Sequence, residues 1–451
     1  MAVLSILPAE ILLLIVDDLS DHEATLNLTY TCRQLYTLLH LHVFRALEIS
    51  HRNIRTLSRL THAFAQDPRC AQTVRILRFI DGPARSSRNE IQYDPVIIRP
   101  LLEAIPYSSG HERATHEANL KAGHNHASWL AILLPLLPNL EELSLIFGYL
   151  EVYTLNLLHR IIPSNPKFNP YSAPVLSHLK HVSVRHQSTK FDLRTSYILP
   201  FFRLPSLTSF TGRMIRDNRD TDGRDPREQQ EAWYAEIIAE VPYKPFSNVT
   251  HLTLEHSTTR SGFAALLYAC KQLKALTFTH GYADGDEAHP PFAPRRFHRS
   301  LCRHRESLEE LTICYADGVS RVSTEFEEGF IGSFRDFHRL RTLRLRAQNI
   351  LAFEDGENAG ANNTLFDVLP SAIEELVIED FEDCYDQPHM AEQVKDLIRE
   401  AGFERGRFPN LRRLEVKGLN PMRKGYKHNY GFPRVLPIWN EEWEGNEEWG
   451  M

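Results

Sequence analysis

The sequence predicts an α/β protein, a small all-α N-terminal segment followed by an irregular strand–helix solenoid. Three observations predict it. A short apolar pattern recurs along most of the 451 residues, and helical stretches lie between its copies. The chain also opens on a run, Leu7–Leu19 (LPAEILLLIVDDL), that is apolar on nearly every side of a helix. A hydrophobic content of 42% is ample for a large core, and the length exceeds one ordinary compact domain.

The opening run reads as a helix of the folded protein. It has no basic leader and carries Glu10, Asp17 and Asp18, unlike a secretion signal, and it is short of the ~20 apolar residues of a membrane span. Pro8 suits the first helical turn, and Glu10 is favourable there against the helix dipole. Ile11, Leu12, Leu13, Leu14, Ile15 and Val16 cover almost the whole circumference, whereas a surface helix shows one apolar stripe. Two buried sides are implied, one against the chain's own domain and one against a partner protein. Asp21 and His22 mark a turn. Leu26 and Leu28 start a second helix, and Cys32, Leu35, Leu38 and Leu39 continue a buried stripe.

From Val74 onward the repeated pattern is apolar-x-x-apolar-x-apolar. It appears as TVRILRF (Val74, Leu77, Phe79), NLEELSL (Leu140, Leu143, Leu145), HLKHVSV (Leu179, Val182, Val184) and, weakened, SLTSFTG (Leu207, Phe210). NVTHLTL (Val249, Leu252, Leu254), QLKALTF (Leu273, Leu276, Phe278) and SLEELTI (Leu308, Leu311, Ile313) follow. RLRTLRL (Leu340, Leu343, Leu345), AIEELVI (Ile373, Leu376, Ile378) and NLRRLEV (Leu411, Leu414, Val416) complete the series. The last two apolar positions alternate with polar ones, the mark of a strand with one buried face. Val152–Ile162, Arg227–Val241, Phe263–Lys271 and Met390–Ala401 read as intervening helices; Asp225, Pro226 and Glu228 form a helix-start signal. Strand–helix units that cannot bury a core alone must stack. The alternative is an ordinary α/β sheet protein.

The pattern is similar to the leucine-rich repeat family, L-x-x-L-x-L. It lacks the Asn or Cys that follows the third leucine there, and its units run from Val249–Leu273 to Leu207–Val249 in length. The resemblance implies an irregular α/β horseshoe. The N-terminal stretch, about Leu4 to Ile49, resembles an F-box of the variety found in fungal proteins. The match runs through Leu7, Pro8, Glu10, Ile11, Leu12, Ile15 and Leu19, then Leu28, Cys32, Arg33, Leu35 and Tyr36. Thr31 stands where Val usually precedes the Cys, and Phe44 stands in the place of a Trp.

This second resemblance implies that the first helices bind the Skp-type adaptor of a cullin-based (SCF) ubiquitin ligase, with Leu7, Pro8, Ile11, Leu12, Ile15, Leu28, Leu35 and Tyr36 at the contact. The repeats would then bind the substrate protein. A helical cap closing the open end of the solenoid is the competing reading, giving a protein-binding scaffold with no ligase role. The expected divisions are an F-box-like domain at 1–50, the solenoid at 51–435 and an acidic tail at 436–451.

A net charge of -7 gives no general attraction to nucleic acid or membrane. Cys32, Cys70, Cys270, Cys302, Cys314 and Cys384 form no C-x-x-C pair and read as reduced thiols, which points to cytosol or nucleus. No G-x-S-x-G, P-loop or H-E-x-x-H occurs, so neither an enzyme nor a cofactor is expected. His111, His116, His124 and His126 read as part of a polar loop rather than a metal site. Arg213–Asp225 reads as an exposed insertion. In the tail, Trp439, Trp443 and Trp449 either fray or cover the last repeat.

Alternation along the strands turns Arg78, Ser144, Ser183, Thr211, Thr253, Thr277, Thr312, Arg344, Val377 and Glu415 away from the core. The expected substrate face is a hydroxyl floor at Thr253, Thr277 and Thr312 ringed by Arg185, Arg213, Arg344 and Arg346. Such a face suits an acidic or phosphorylated segment.

Overall fold

The computed structural model describes residues 7–19, 22–50, 53–81, 91–105, 107, 109–123, 126–147, 175–187, 192–216, 244–259, 262–281, 292–315, 329–352, 361–381, 387–401, 406–417 and 436–437. The expected helices Val152–Ile162 and Arg227–Val241, the capping signal at Asp225 and the tail tryptophans lie outside the described residues. So do His124, Cys384 and most of the Arg213–Asp225 insertion. Two compact units are present, one of Met1–Gln187 with Pro200–Thr208, the other of Ser188–Leu199 with Ser209–Met451.

The first unit opens on helices α1 (Ala9–Asp18), α2 (His22–Thr29) and α3 (Arg33–Leu39). Pro8 sits one position before the expected first turn, as the N-cap, and His22 is inside α2 rather than in a turn. Leu12 and Val16 of α1 pack with Leu35 and Leu39 of α3, and Leu7, Leu13, Leu28 and Leu38 lean on that cluster.

Strands β1 (Ala46–Ser50), β2 (Ile76–Ile80), β3 (Glu142–Phe147) and β4 (His181–His186) follow, each parallel to the next. β1 is a further copy of the repeat, outside the expected series that starts at Val74. Phe44, Leu47 and Ile49 carry the same spacing, inside the stretch read as purely helical.

Helices α4 (Ile54–Gln66), α5 (Pro68–Thr73), α6 (Pro95–Glu103), α7 (Gly110–Ala122) and α8 (His126–Leu133) connect these strands. Their starts are encoded locally. Asn53, Asp67, Asp94 and Ser109 each accept a backbone N–H of the first turn, and Pro68 and Pro95 occupy first-turn positions.

The polar loop expected around the histidines is instead α7 and the start of α8. Ser109 caps α7 and Gly123, at φ 63, ends it. His116 is buried, with Nε2 donating to the Ser128 carbonyl at 2.9 Å and Nδ1 accepting from the Tyr107 hydroxyl at 2.7 Å. A polar composition hid a helix with one inward stripe, His116 and Leu120.

In the second unit the strands are β5 (Leu193–Arg194), β6 (Ser209–Arg213), β7 (Ile215–Arg216), β8 (His251–Ser257), β9 (Ala275–His280), β10 (Glu310–Tyr315), β11 (Thr342–Arg346), β12 (Glu375–Glu379), β13 (Arg413–Val416) and β14 (Leu436–Pro437). β6 and β8 to β14 run parallel in that order, and β5 pairs with β7. Helices α9 (Thr195–Ile198), α10 (Ala264–Ala269), α11 (Pro294–Leu301), α12 (Ala347–Ile350), α13 (Leu365–Val368) and α14 (Gln387–Ala401) complete it. The expected helices at Phe263–Lys271 and Met390–Ala401 correspond to α10 and α14.

The repeated apolar positions make the core. Val249, Leu273, Leu308, Leu340 and Ile373 are fully buried, as are Leu254, Phe278 and Leu345. Phe263, Phe292 and Phe297 close around Phe278 at ring-centroid distances of 5.7, 5.5 and 5.1 Å. Register is held by a recurring device just before each strand. The carbonyls of Thr250, Lys274, Glu309, Arg341 and Glu374 each receive two consecutive N–H groups from the next repeat. Among the described residues no helix is long and apolar enough to cross a membrane.

Candidate functional site

The first candidate surface is on α1. Leu12 and Val16 face the helical core, at 1% and 6% exposure. On the other side, Ile11, Leu14, Ile15 and Leu19 stand open at 43%, 64%, 36% and 37%. The spacing i, i+3, i+4 and i+8 from Ile11 puts these four on one face. Tyr30, just after α2, and Tyr36, in the middle of α3, are also exposed, and Tyr36 stacks on His40 at 5.3 Å.

Of the residues expected at an adaptor contact, Pro8, Ile11, Ile15 and Tyr36 are exposed, while Leu7 and Leu28 are partly buried against the helical core. Leu12 and Leu35 need correction. Both are buried between α1 and α3, so they hold the helices together and cannot meet a partner without unpacking them. Leu14, Leu19 and Tyr30 were missed. For the two leucines, the spacing from Ile11 and Ile15 was the available signal.

The second candidate surface is the outward side of the strands of the second unit. Thr211, Thr253, Thr277 and Thr312 lie side by side across β6, β8, β9 and β10, in register and half-buried. Expected and observed rows agree here because alternation and register are both set by the strand pattern.

The arginines depart from expectation. Arg344 pairs with Glu379 on the neighbouring strand. Arg346 is 5% exposed, with Nε donating to Asp380 Oδ2 at 2.7 Å and its guanidinium lying over the Tyr315 ring at 3.8 Å. Glu379 also receives Lys417 at 3.2 Å, and Arg413 meets Glu415 at 2.9 Å. Parallel strands ~4.8 Å apart bring the acids of one repeat against the bases of the next. The face at β11–β13 is therefore internally compensated, not a basic rim. In the first unit Arg185 is likewise paired, with Asp81. Arg213 is exposed at the end of β6, in register with Glu255.

Among the described residues no group of three or more His, Cys, Asp or Glu could hold a metal ion. Cys32, Cys70, Cys270, Cys302 and Cys314 are free thiols. Burial pushes the Cys270 thiol up to about 12, so it is no thiolate nucleophile at neutral pH.

A comparison with curated proteins finds no match. The leucine-rich repeat domain family matches residues 162–418, more than half of the chain. That span holds strands β4, β6 and β8 to β13, with the buried apolar positions that define the repeat. The chain belongs to the leucine-rich repeat domain family.

Proposed function

We propose that the protein is a substrate-recognition subunit of an SCF-type ubiquitin ligase. The N-terminal helices bind a Skp-type adaptor, and the repeats bind the protein to be ubiquitinated. A repeat domain of this family serves protein binding, and the outward strand face offers it a surface. The observation that carries the ligase reading is the exposed apolar face Ile11, Leu14, Ile15 and Leu19, opposite a face already filled by the helical core. Apolar faces of this kind mark partner sites. The F-box-like order of Leu7, Pro8, Glu10, Ile11 and Leu12 supports the choice of partner.

A scaffold with a helical cap is the second reading. It is favoured by the contact between Phe44, just after α3, and Phe64 of α4, at 5.7 Å edge to face. A cap, however, needs no open apolar face.

Co-purification of the full chain with a Skp-type adaptor tests the choice. Ile11→Glu with Ile15→Glu should abolish capture and leave the melting temperature within a few degrees of wild type, since both side chains are already open to water. Equal capture by this variant would remove the ligase reading; loss of folding would favour the cap.

A further inference from the structure

α11 separates its faces cleanly. Pro294, Phe297 and Leu301 point into the core, while Arg295, Arg296 and Arg299 are exposed. Arg303, in the turn that follows, continues the series, so Arg295, Arg299 and Arg303 form a stripe at i, i+4 and i+8. The guanidinium of Arg303 lies over the exposed Tyr268 ring of α10 at 4.0 Å, held by a ring face rather than a carboxylate. Arg295 and Arg299 have no ion-pair partner among the described residues.

The neighbouring repeat extends the patch. His298 meets Phe334 and Phe337 at 5.2 and 5.8 Å, and its Nε2 donates to the Ser333 carbonyl at 2.8 Å. That segment carries Arg335 and Arg339, both exposed. The acids nearby are Glu306, which meets Arg305 at 3.5 Å and His338 at 3.9 Å, Asp336, and Asp367, whose carboxyl is held below its ordinary range by its hydrogen bonds to Thr364.

Stability alone does not account for this stripe. Like charges at i, i+4 destabilise a helix, and Arg295 stands in the first turn, where the dipole disfavours a cation. Glu at 295 would relieve both. The cost is borne at a place where the chain as a whole is acidic, at net charge -7. Successive arginines of the stripe are ~6 Å apart along the helix. Side chains on one edge of an extended peptide repeat every ~7 Å. The net negative charge of the chain repels a long polyanion, whereas a short acidic segment meets only the patch.

We infer that the outer face of α11, with Arg295, Arg299 and Arg303 at its centre, is a docking site for a short extended acidic peptide segment of a partner protein. The carboxylates take the open guanidinium edges as paired hydrogen bonds. The site shares no residue with the strand face or with α1, and it does not depend on the ligase reading.

Fluorescence anisotropy with a labelled peptide of alternating Glu and Ser tests it on the full chain. The peptide should bind in a salt-sensitive way, and its Lys–Ser counterpart should not. Arg295→Gln with Arg299→Gln should weaken binding roughly tenfold or more. The same variant should melt no earlier than wild type, because a like-charge pair is removed, and Arg412→Gln should leave binding unchanged. Equal binding by the double variant overturns the proposal. A lowered melting temperature, or failure to fold, makes the arginines structural and also overturns it. Tighter binding of single-stranded DNA or of anionic lipid vesicles than of the acidic peptide, at the same salt, assigns the patch to another class of partner.

Discussion

Individual buried and half-buried histidines tie neighbouring elements together, and they give the fold a pH dependence. His116 donates to the Ser128 carbonyl, His298 to the Ser333 carbonyl and His304 to the Leu267 carbonyl at 2.9 Å. Burial holds all three imidazoles below their ordinary pKa; the carbonyl bonds oppose the shift, while Arg303 adds to it at His304 and Glu112 opposes it at His116. A depressed pKa means that the unfolded chain binds more protons than the folded one below about pH 6.5. Stability should therefore fall as pH drops through that window and level off above it. Melting temperatures at pH 5 and pH 7.5 check the sign, and His304→Gln should flatten the difference. A fold equally stable at both values would show that these sites protonate without strain. Arg346 is the second case. Its ion pair with Asp380 is nearly closed to solvent, at side-chain exposures of 6% and 26%. Arg346→Ala leaves a partly buried carboxylate without its cation and should lower stability by about 3–5 kcal/mol in denaturant unfolding. A change within ~0.5 kcal/mol, as for ordinary surface sites, would place Arg346 outside the structural frame.

At the scale of the element, α1 has one buried face and one open face, and under the proposed adaptor role substitutions on them should separate. Leu12→Ala removes a side chain from the α1–α3 core and should cost ~2–5 kcal/mol. Leu14→Ala, 64% exposed, should stay within ~0.5 kcal/mol while weakening capture of an adaptor. Thermal unfolding followed on α1–α3 distinguishes them, and equal destabilisation by the two would mean that the outer face is covered by the chain itself. The repeat strands were legible for the same reason that α1 was not fully so. A strand alternates strictly, so Leu276 and Phe278 point in and Thr277 points out whatever lies around them. A helix apolar all round has no such rule. The spacing puts Leu12 and Leu14 on different faces, but only the position of α3 makes one a core residue and the other a surface residue.

For the whole molecule, the sequence by itself determined the recurring strand, the burial of its apolar positions, the row of threonines and the helices at the N-terminus. These follow from local periodicity, which each segment carries within itself. Only the tertiary structure decided the rest. It turned the histidine-rich stretch at Gly110–Ala122 into a packed helix, because His116 finds Tyr107 and Ser128 only once α7 and α8 are docked. It recruited β1 into the parallel sheet of the first unit, although its copy of the pattern lies within a helical context. Above all it decided the chemistry of the strand face. Arg344 and Arg346 read as open bases along the chain, but stacking brings Glu379 and Asp380 of the adjacent repeat against them. No local pattern states which residue of one repeat faces which residue of the next. Charge compensation between strands is therefore a property of register, and register exists only when the repeats are stacked.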